Sequence, residues 1–286
     1  MNRQTVSRRR IPPLMPNPPS HDVRLVAIDL DGTLLNDSKQ VSDQTLAALN
    51  SAVDRGARVI IASARPPRSV RHVYNQLRLD TWQINYNGAL IWDEPAKRVI
   101  FHRPMPGDLV RRLIQTARSR FDSVLVTCEI LDRMHTDRFD QTYTTETGRL
   151  FRPDVVAPFE QFCNQPVTKL LLLGDKSMID QLEFLLPTTD DKITIVRTDP
   201  ELLQIMDRNV SKAAALQIVA DHYQIALENV MALGDAPNDV GMLQSAGIGV
   251  AMNNAGDIVK SAADWIAPSN NDHGVHAALV KFGLCD

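Results

Sequence analysis

Short apolar runs that stop at polar residues punctuate the chain. Leu25-Val-Ala-Ile28 ends at Asp29, Val59-Ile-Ile-Ala62 ends at Ser63, and Val230-Met-Ala-Leu233 ends at Gly234-Asp235. None of the three alternates with polar residues, so each predicts a strand covered on both faces, as in a parallel sheet. Helical spacing fills the gaps. After the strand over 24–29, a helix is predicted from about Ser42, with Leu46, Leu49 and Val53 on one face and Gly56 as its stop. Ser211-Lys212 opens another, in which Leu216, Val219 and Tyr223 fall near helical spacing. Strands alternating with helices predict an α/β fold built on a doubly wound, Rossmann-like parallel sheet.

Beyond Asn87-Gly88-Ala89 the pattern changes. Ala89-Leu-Ile-Trp92 and Arg98-Val-Ile-Phe101 flank Asp93-Glu94-Pro95 as a hairpin would. A basic helix is predicted near Leu109 to Arg118 and another near Ser177 to Leu186, with strands near Ser123 to Thr127, Thr168 to Leu173 and Ile193 to Val196. These elements make an α+β insert of roughly 110 residues, a plausible domain size. The predicted organisation is a leader over 1–20, a core from 21–89 and 205–286, and an insert over 90–204.

The strand ends carry the candidate chemistry. In Asp29-Leu-Asp31-Gly32-Thr33, alternation along an extended chain turns Asp29 and Asp31 to the same side, where both carboxylates can meet one ligand. Two such carboxylates repel and resist joint ionisation; a divalent cation relieves that repulsion, leaving one aspartate as nucleophile and the other to handle a proton. Ser63 and the backbone N–H groups of Ser63-Ala64-Arg65-Pro66 can hold a phosphoryl oxygen. Gly234-Asp235-Ala-Pro-Asn238-Asp239 is a second acidic strand end. Lys212 lies in a first helical turn, where its charge opposes the helix dipole, a small cost that a purely structural lysine has no reason to bear. In a doubly wound sheet the carboxyl ends of strands gather in one crevice, where ligands bind.

Taken together these residues resemble the haloacid dehalogenase superfamily, and specifically its Cof-like sugar-phosphate phosphatases. Asp29-Leu-Asp31-Gly32-Thr33 is similar to the first family motif, Ser63 to the second, Lys212 to the third, and Gly234-Asp235-Ala-Pro-Asn238-Asp239 to the fourth, over a span from about Arg24 to the C-terminus. Asn87-Gly88-Ala89, Val210-Ser211-Lys212, Asp239-Val-Gly-Met242 and Ala251-Met252-Asn253-Asn254-Ala255 add to the likeness. The resemblance implies a Mg²⁺-dependent phosphomonoesterase whose insert is the large cap of that group. It implies Asp29 as nucleophile and Asp31 as acid, then base. Mg²⁺ would be held by the Asp29 carboxylate, the Asp31 carbonyl and Asp235, with Asp239 helping directly or through water. Ser63, the Ala64 loop, Lys212 and Asn238 would bind the phosphoryl oxygens. Ala64 departs from the glycine usual after the second-motif hydroxyl, adding a methyl beside the phosphate and removing freedom at positive φ.

Composition narrows the remaining classes. Forty-four per cent hydrophobic content over 286 residues suits two modest cores. Cys128, Cys163 and Cys285 lie far apart without metal-ligand spacing and read as reduced thiols of a cytoplasmic protein. Apolar runs such as Leu170 to Leu173 are far too short to span a bilayer. Arg3, Arg8, Arg9 and Arg10, with the prolines that follow, form a basic leader without the apolar stretch of a signal peptide. Removing those four arginines takes the formal charge from −3 to −7, and an acidic body argues against nucleic acid. No Gly-x-x-x-x-Gly-Lys-Ser/Thr loop and no His-Glu-x-x-His is present. His273 and His276 read as loop or partly buried residues. The expected partner is a small-molecule phosphate ester. Two alternatives use the same residues: a phosphomutase, or a non-catalytic protein that accepts a phosphoryl group or binds phosphometabolites.

Overall fold

The computed structural model describes residues 22–140, 142–143, 145–188 and 190–286. The leader expected over 1–20 lies outside the described residues. The three apolar runs form strands Leu25–Ile28, Arg58–Ile61 and Val230–Gly234. They join Ile248–Met252 and Trp265–Ala267 in a five-stranded sheet in which every pairing is parallel. Leu25–Ile28 lies between the edge strand Arg58–Ile61 and the middle strand Val230–Gly234. The chain winds outward in both directions from Leu25–Ile28, so the order reverses where residues 29 and 235 emerge, the place at which such sheets open a crevice.

Helices cover both faces. Ser42 caps the helix Asp43–Asp54, accepting the N–H of Thr45 through its side chain. That helix buries Thr45, Ala48, Leu49 and Ala52, while Val53, expected on the inner face, is 45% exposed. Positions 45, 48, 49 and 52 are the i, i+3, i+4, i+7 stripe of a helix, and small residues obscured it in the sequence. His273 Nδ1 reaches Ser42 Oγ at 2.9 Å and His276 lies beside Gln44, at the opening of this helix. A second helix, Pro67–Gln76, follows directly from the Ser63–Pro66 strand end and opens on a proline, whose missing N–H costs nothing there. Ser211 caps Lys212–His222 through the N–H of Ala214.

The hairpin forms as expected, with Leu90–Asp93 antiparallel to Arg98–His102, but it also pairs with Gln83–Asn85 in a three-stranded sheet. Ile84 and Ile91 enter the same apolar cluster as Leu25, Ala27 and Leu216. The hairpin therefore packs on the core sheet although sequence pattern grouped it with the insert; alternation identifies a hairpin but not the surface it covers.

The remaining insert is built on a six-stranded sheet in the order Ile193–Asp199, Leu202–Asp207, Lys169–Leu173, Leu125–Ile130, Arg133–Thr136, Val155–Val156. The sequence pattern does not mark Leu202–Asp207, Arg133–Thr136 or Val155–Val156 as strands. Val126, Cys128, Leu170, Leu172, Leu203 and Ile205 form one apolar cluster with residues of the helices Gly107–Arg120 and Lys176–Leu185. Among the described residues no helix is long and apolar enough to cross a membrane.

Between the core strand and the hairpin the backbone makes a tight reversal, with Tyr86, Asn87 and Gly88 all at positive φ. A Cβ on Gly88 would lie 2.3 Å from the carbonyl oxygen of Ser211, next to Lys212. Gly88→Ala is expected to destabilise the chain by roughly 1–3 kcal/mol, read as a lower denaturant midpoint at unchanged slope. An unchanged midpoint would show that this contact relaxes freely.

Candidate active site

Four core segments converge at the carboxyl ends of the central strands. Asp29 follows Leu25–Ile28, and its N–H donates to the carbonyl of Leu233 on the neighbouring strand at 3.0 Å. The Lys212 ammonium bridges Asp29 Oδ1 at 2.5 Å and Asp239 Oδ1 at 2.6 Å. All three residues are buried, Lys212 to 1% exposure and Asp239 to 0%. Asp239 Oδ2 accepts the backbone N–H groups of Asp235 and Ala236. Asp235 accepts from the Thr33 hydroxyl at 2.8 Å. Gly32, at φ +80°, leaves the space Asp235 occupies, for a Cβ there would stand 2.3 Å from Asp235 Oδ2.

This cluster is short of positive charge. Burial raises the Asp29 carboxyl well above its ordinary pKa and the neighbouring Asp239 charge adds to that, against the pull of Lys212. Burial also raises Asp235, with Asp239 again contributing. Burial alone would lower the Lys212 ammonium, but the charges of Asp29 and Asp239 overcome it and hold the amine protonated. Asp29, Asp235 and Asp239 each present an oxygen, and these oxygens lie within 4.8 Å of one another. A crowded all-carboxylate set in which Asp29 and Asp235 resist ionisation fits a hard divalent cation, which takes oxygen ligands and offsets their mutual repulsion.

Asp31 sits apart from this cluster. Arg65 donates to both its oxygens, Nε at 2.6 Å and a terminal nitrogen at 2.5 Å, and Lys39 donates at 2.8 Å. Burial pushes the Asp31 carboxyl upward, but these cations outweigh burial and hold it below the usual carboxylate range. Neither Arg65 nor Lys39 was singled out from sequence, although Arg65 lies only two residues beyond Ser63.

Ser63 is buried at the end of Arg58–Ile61, and its Oγ accepts the Arg65 N–H at 3.1 Å, leaving the hydroxyl proton to donate elsewhere. Ala64 is not among the positive-φ residues, so the loop does not use the freedom that glycine would add. Asn238 is tied to Asn87, its amide donating to Asn87 Oδ1 at 2.8 Å, rather than to the acidic cluster. The insert reaches this loop through Lys169, which donates to the Ala64 carbonyl at 3.1 Å.

The haloacid dehalogenase-like hydrolase family model matches residues 26–279. The chain is 32% identical over 263 residues to the 5-amino-6-(5-phospho-D-ribitylamino)uracil phosphatase YcsE of Bacillus subtilis, covering 92% of this chain and 97% of that protein. It is 30% identical over 264 residues to YitU, a phosphatase of the same name and organism, covering 90% and 97%. A crystal structure of a haloacid dehalogenase-like hydrolase from Bacteroides thetaiotaomicron superimposes with a TM-score of 0.82 at 29% identity, covering 91% of this chain and 99% of that one.

Because burial raises Asp29 in the folded state, its ionised form destabilises the metal-free chain above the ordinary carboxylate pKa of about 4. Asn at this position keeps the shape and removes the charge. Asp29→Asn is expected to raise metal-free stability at neutral pH by roughly 0.5–3 kcal/mol. The gain should vanish as pH falls to about 4, where Asp29 is protonated in both folded and unfolded chains. Thermal unfolding in chelator across that pH range measures it; a loss of stability at pH 7 would contradict the charge-crowding account.

Proposed function

The chain belongs to the haloacid dehalogenase-like hydrolases and is a phosphatase of that kind, and from this premise we propose that it hydrolyses phosphomonoesters of small metabolites through an aspartyl-phosphate on Asp29, with Mg²⁺ in the acidic cluster. Sugar phosphates and the related polyol phosphates are the proposed substrate class, in keeping with the phosphoribityl compound named for YcsE and YitU. The observation that carries the reading is the Lys212 ammonium held between Asp29 and Asp239, with Asp235 within ligand reach.

Asp29 is the nucleophile: Lys212 fixes its Oδ1, and the second oxygen is available to attack phosphorus, forming the P–O bond as the ester oxygen departs. The carboxylates of Asp29 and Asp235 and the Asp31 backbone carbonyl would hold Mg²⁺, with Asp239 directly or through water, and the bound ion supplies charge neutralisation for the phosphoryl oxygens. Lys212 and the Ser63 hydroxyl bind those oxygens as negative charge spreads over them, with the Ala64 N–H and Asn238 assisting. Asp31 protonates the departing oxygen and then takes a proton from the water that hydrolyses the acyl-phosphate. In the resting chain Asp31 is ionised and clamped by Arg65 and Lys39, so substrate must loosen that clamp before the acid role begins.

The insert is proposed to be a cap that closes over the crevice and sets substrate choice, since the four core segments handle only the phosphoryl group. Packing of the hairpin on the core shifts its start from 90 towards Arg103. The protein is proposed to work in the cytoplasm, where its three free cysteines, all buried, stay reduced.

Phosphate release from a phosphorylated-metabolite panel in Mg²⁺ tests the proposal, with Asp29→Asn expected to abolish turnover. Stable labelling without release would make the chain a phosphoacceptor, and transfer to a second hydroxyl would make it a mutase. Asp31→Asn should lower kcat far more on alkyl phosphates than on p-nitrophenyl phosphate, whose leaving group needs little protonation, by about a hundredfold, the low end of general acid–base effects. Equal losses on both would remove Asp31 from the acid role.

A further inference from the structure

The face of the insert sheet opposite its two long helices is graded. At its far end Leu125, Leu171, Leu173 and Leu202 form an apolar cluster. At the end nearest the core, leucine gives way to Glu129 and Lys169, which stand opposite each other in register, and to Gln204 one strand further on. These three polar residues are 1%, 6% and 7% exposed. Burying such groups costs free energy that leucine at the same positions would not, so a purely structural sheet has no reason to carry them.

Their contacts point at the crevice. Lys169 donates to Gln204 Oε1 at 3.0 Å and to the Ala64 carbonyl at 3.1 Å, one residue from Ser63. Glu129 accepts twice from Arg68 and once from the Tyr86 hydroxyl, both on the core side of the junction. Burial lowers the Lys169 ammonium to about 8, with Glu129 opposing and Arg68 reinforcing, so it remains a charged donor at neutral pH. A row offering an ammonium donor, a carboxylate acceptor and an amide that does both matches vicinal hydroxyl groups, each of which is donor and acceptor at once.

We propose that Lys169, Gln204 and Glu129 form the subsite that reads the hydroxyls of a polyol leaving group, placed beside the phosphoryl site by the contact of Lys169 with the Ala64 loop. The proposal deepens the phosphatase reading and rests on it for the position of the phosphoryl group. On substrate entry Lys169 exchanges the Ala64 carbonyl for a substrate hydroxyl, while Arg68 and Tyr86 keep Glu129 in place.

The competing account is a latch, in which the same residues only hold the insert against the core. Calorimetric binding separates the two, using the full chain carrying Asp29→Asn in Mg²⁺, with D-ribitol 5-phosphate and inorganic phosphate as the probes. Adding Lys169→Met, or independently Gln204→Leu, is expected to lower the affinity ratio of ribitol phosphate to phosphate by about tenfold. Lys169→Arg should recover part of it. A ratio unchanged in both variants, or both ligands weakened alike as a latch requires, overturns the proposal. Failure of the phosphatase reading looks different: the unsubstituted chain would release no phosphate, whatever the ribitol ratio does on mutation of Lys169.

Discussion

The site depends on one ammonium group. Lys212 stands among three carboxylates and bonds two of them, Asp29 at the end of Leu25–Ile28 and Asp239 from the segment after Val230–Gly234. Removing it would strand two buried carboxylates, the kind of loss that costs about 3–5 kcal/mol. The aspartates depend on the lysine, whereas the lysine keeps a partner when Asp29 is neutralised. Their geometry is set by backbone that has little room to adjust: Asp239 is held by two N–H groups of its own loop, and Asp29 by the neighbouring strand. Even so the cluster remains crowded with negative charge, which makes it receptive both to a divalent cation and to a proton.

The strands and the acidic ends were legible in the sequence for one reason. In a parallel sheet the apolar runs are local and continuous, and the residue that ends each run is by construction at the mouth of the sheet. Spacing alone thus places Asp29, Ser63 and Asp235, and Lys212 stands out because its charge opposes the dipole of the helix it opens. What spacing could not supply was pairing across the chain. The hold of Lys39 on Asp31 depends on how the turn after Asp31 folds back, and that of Arg65 on the pairing of Leu25–Ile28 with Arg58–Ile61. The hairpin at 90–102 has the alternation of a hairpin wherever it packs, and only the burial of Ile91 with Leu25 assigns it to the core.

The insert was harder to read because its sheet is antiparallel and covered unequally. Leu202–Asp207 lies between two partners, one of them apolar but for Lys169, and its own Gln204 breaks the run that would have marked it as a strand. The residue that hid the strand is the one bonded to Lys169. Local pattern and global fold disagree most where a polar side chain is enclosed, which is where a specific contact must be offsetting the cost of burial.

The position of Leu25–Ile28 between two parallel partners has a consequence for how the chain is made. Its partner on one side, Arg58–Ile61, follows almost at once, but the partner on the other, Val230–Gly234, is about two hundred residues downstream, beyond the whole insert. At ribosomal rates of about 5–20 residues per second, that edge waits roughly 10–40 s with its hydrogen-bonding groups unpaired. The insert, whose strands all lie within one continuous segment, can complete its own sheet during that interval. The nascent chain thus completes the insert before the core sheet, and Asp29 last of all gains the neighbours that hold it.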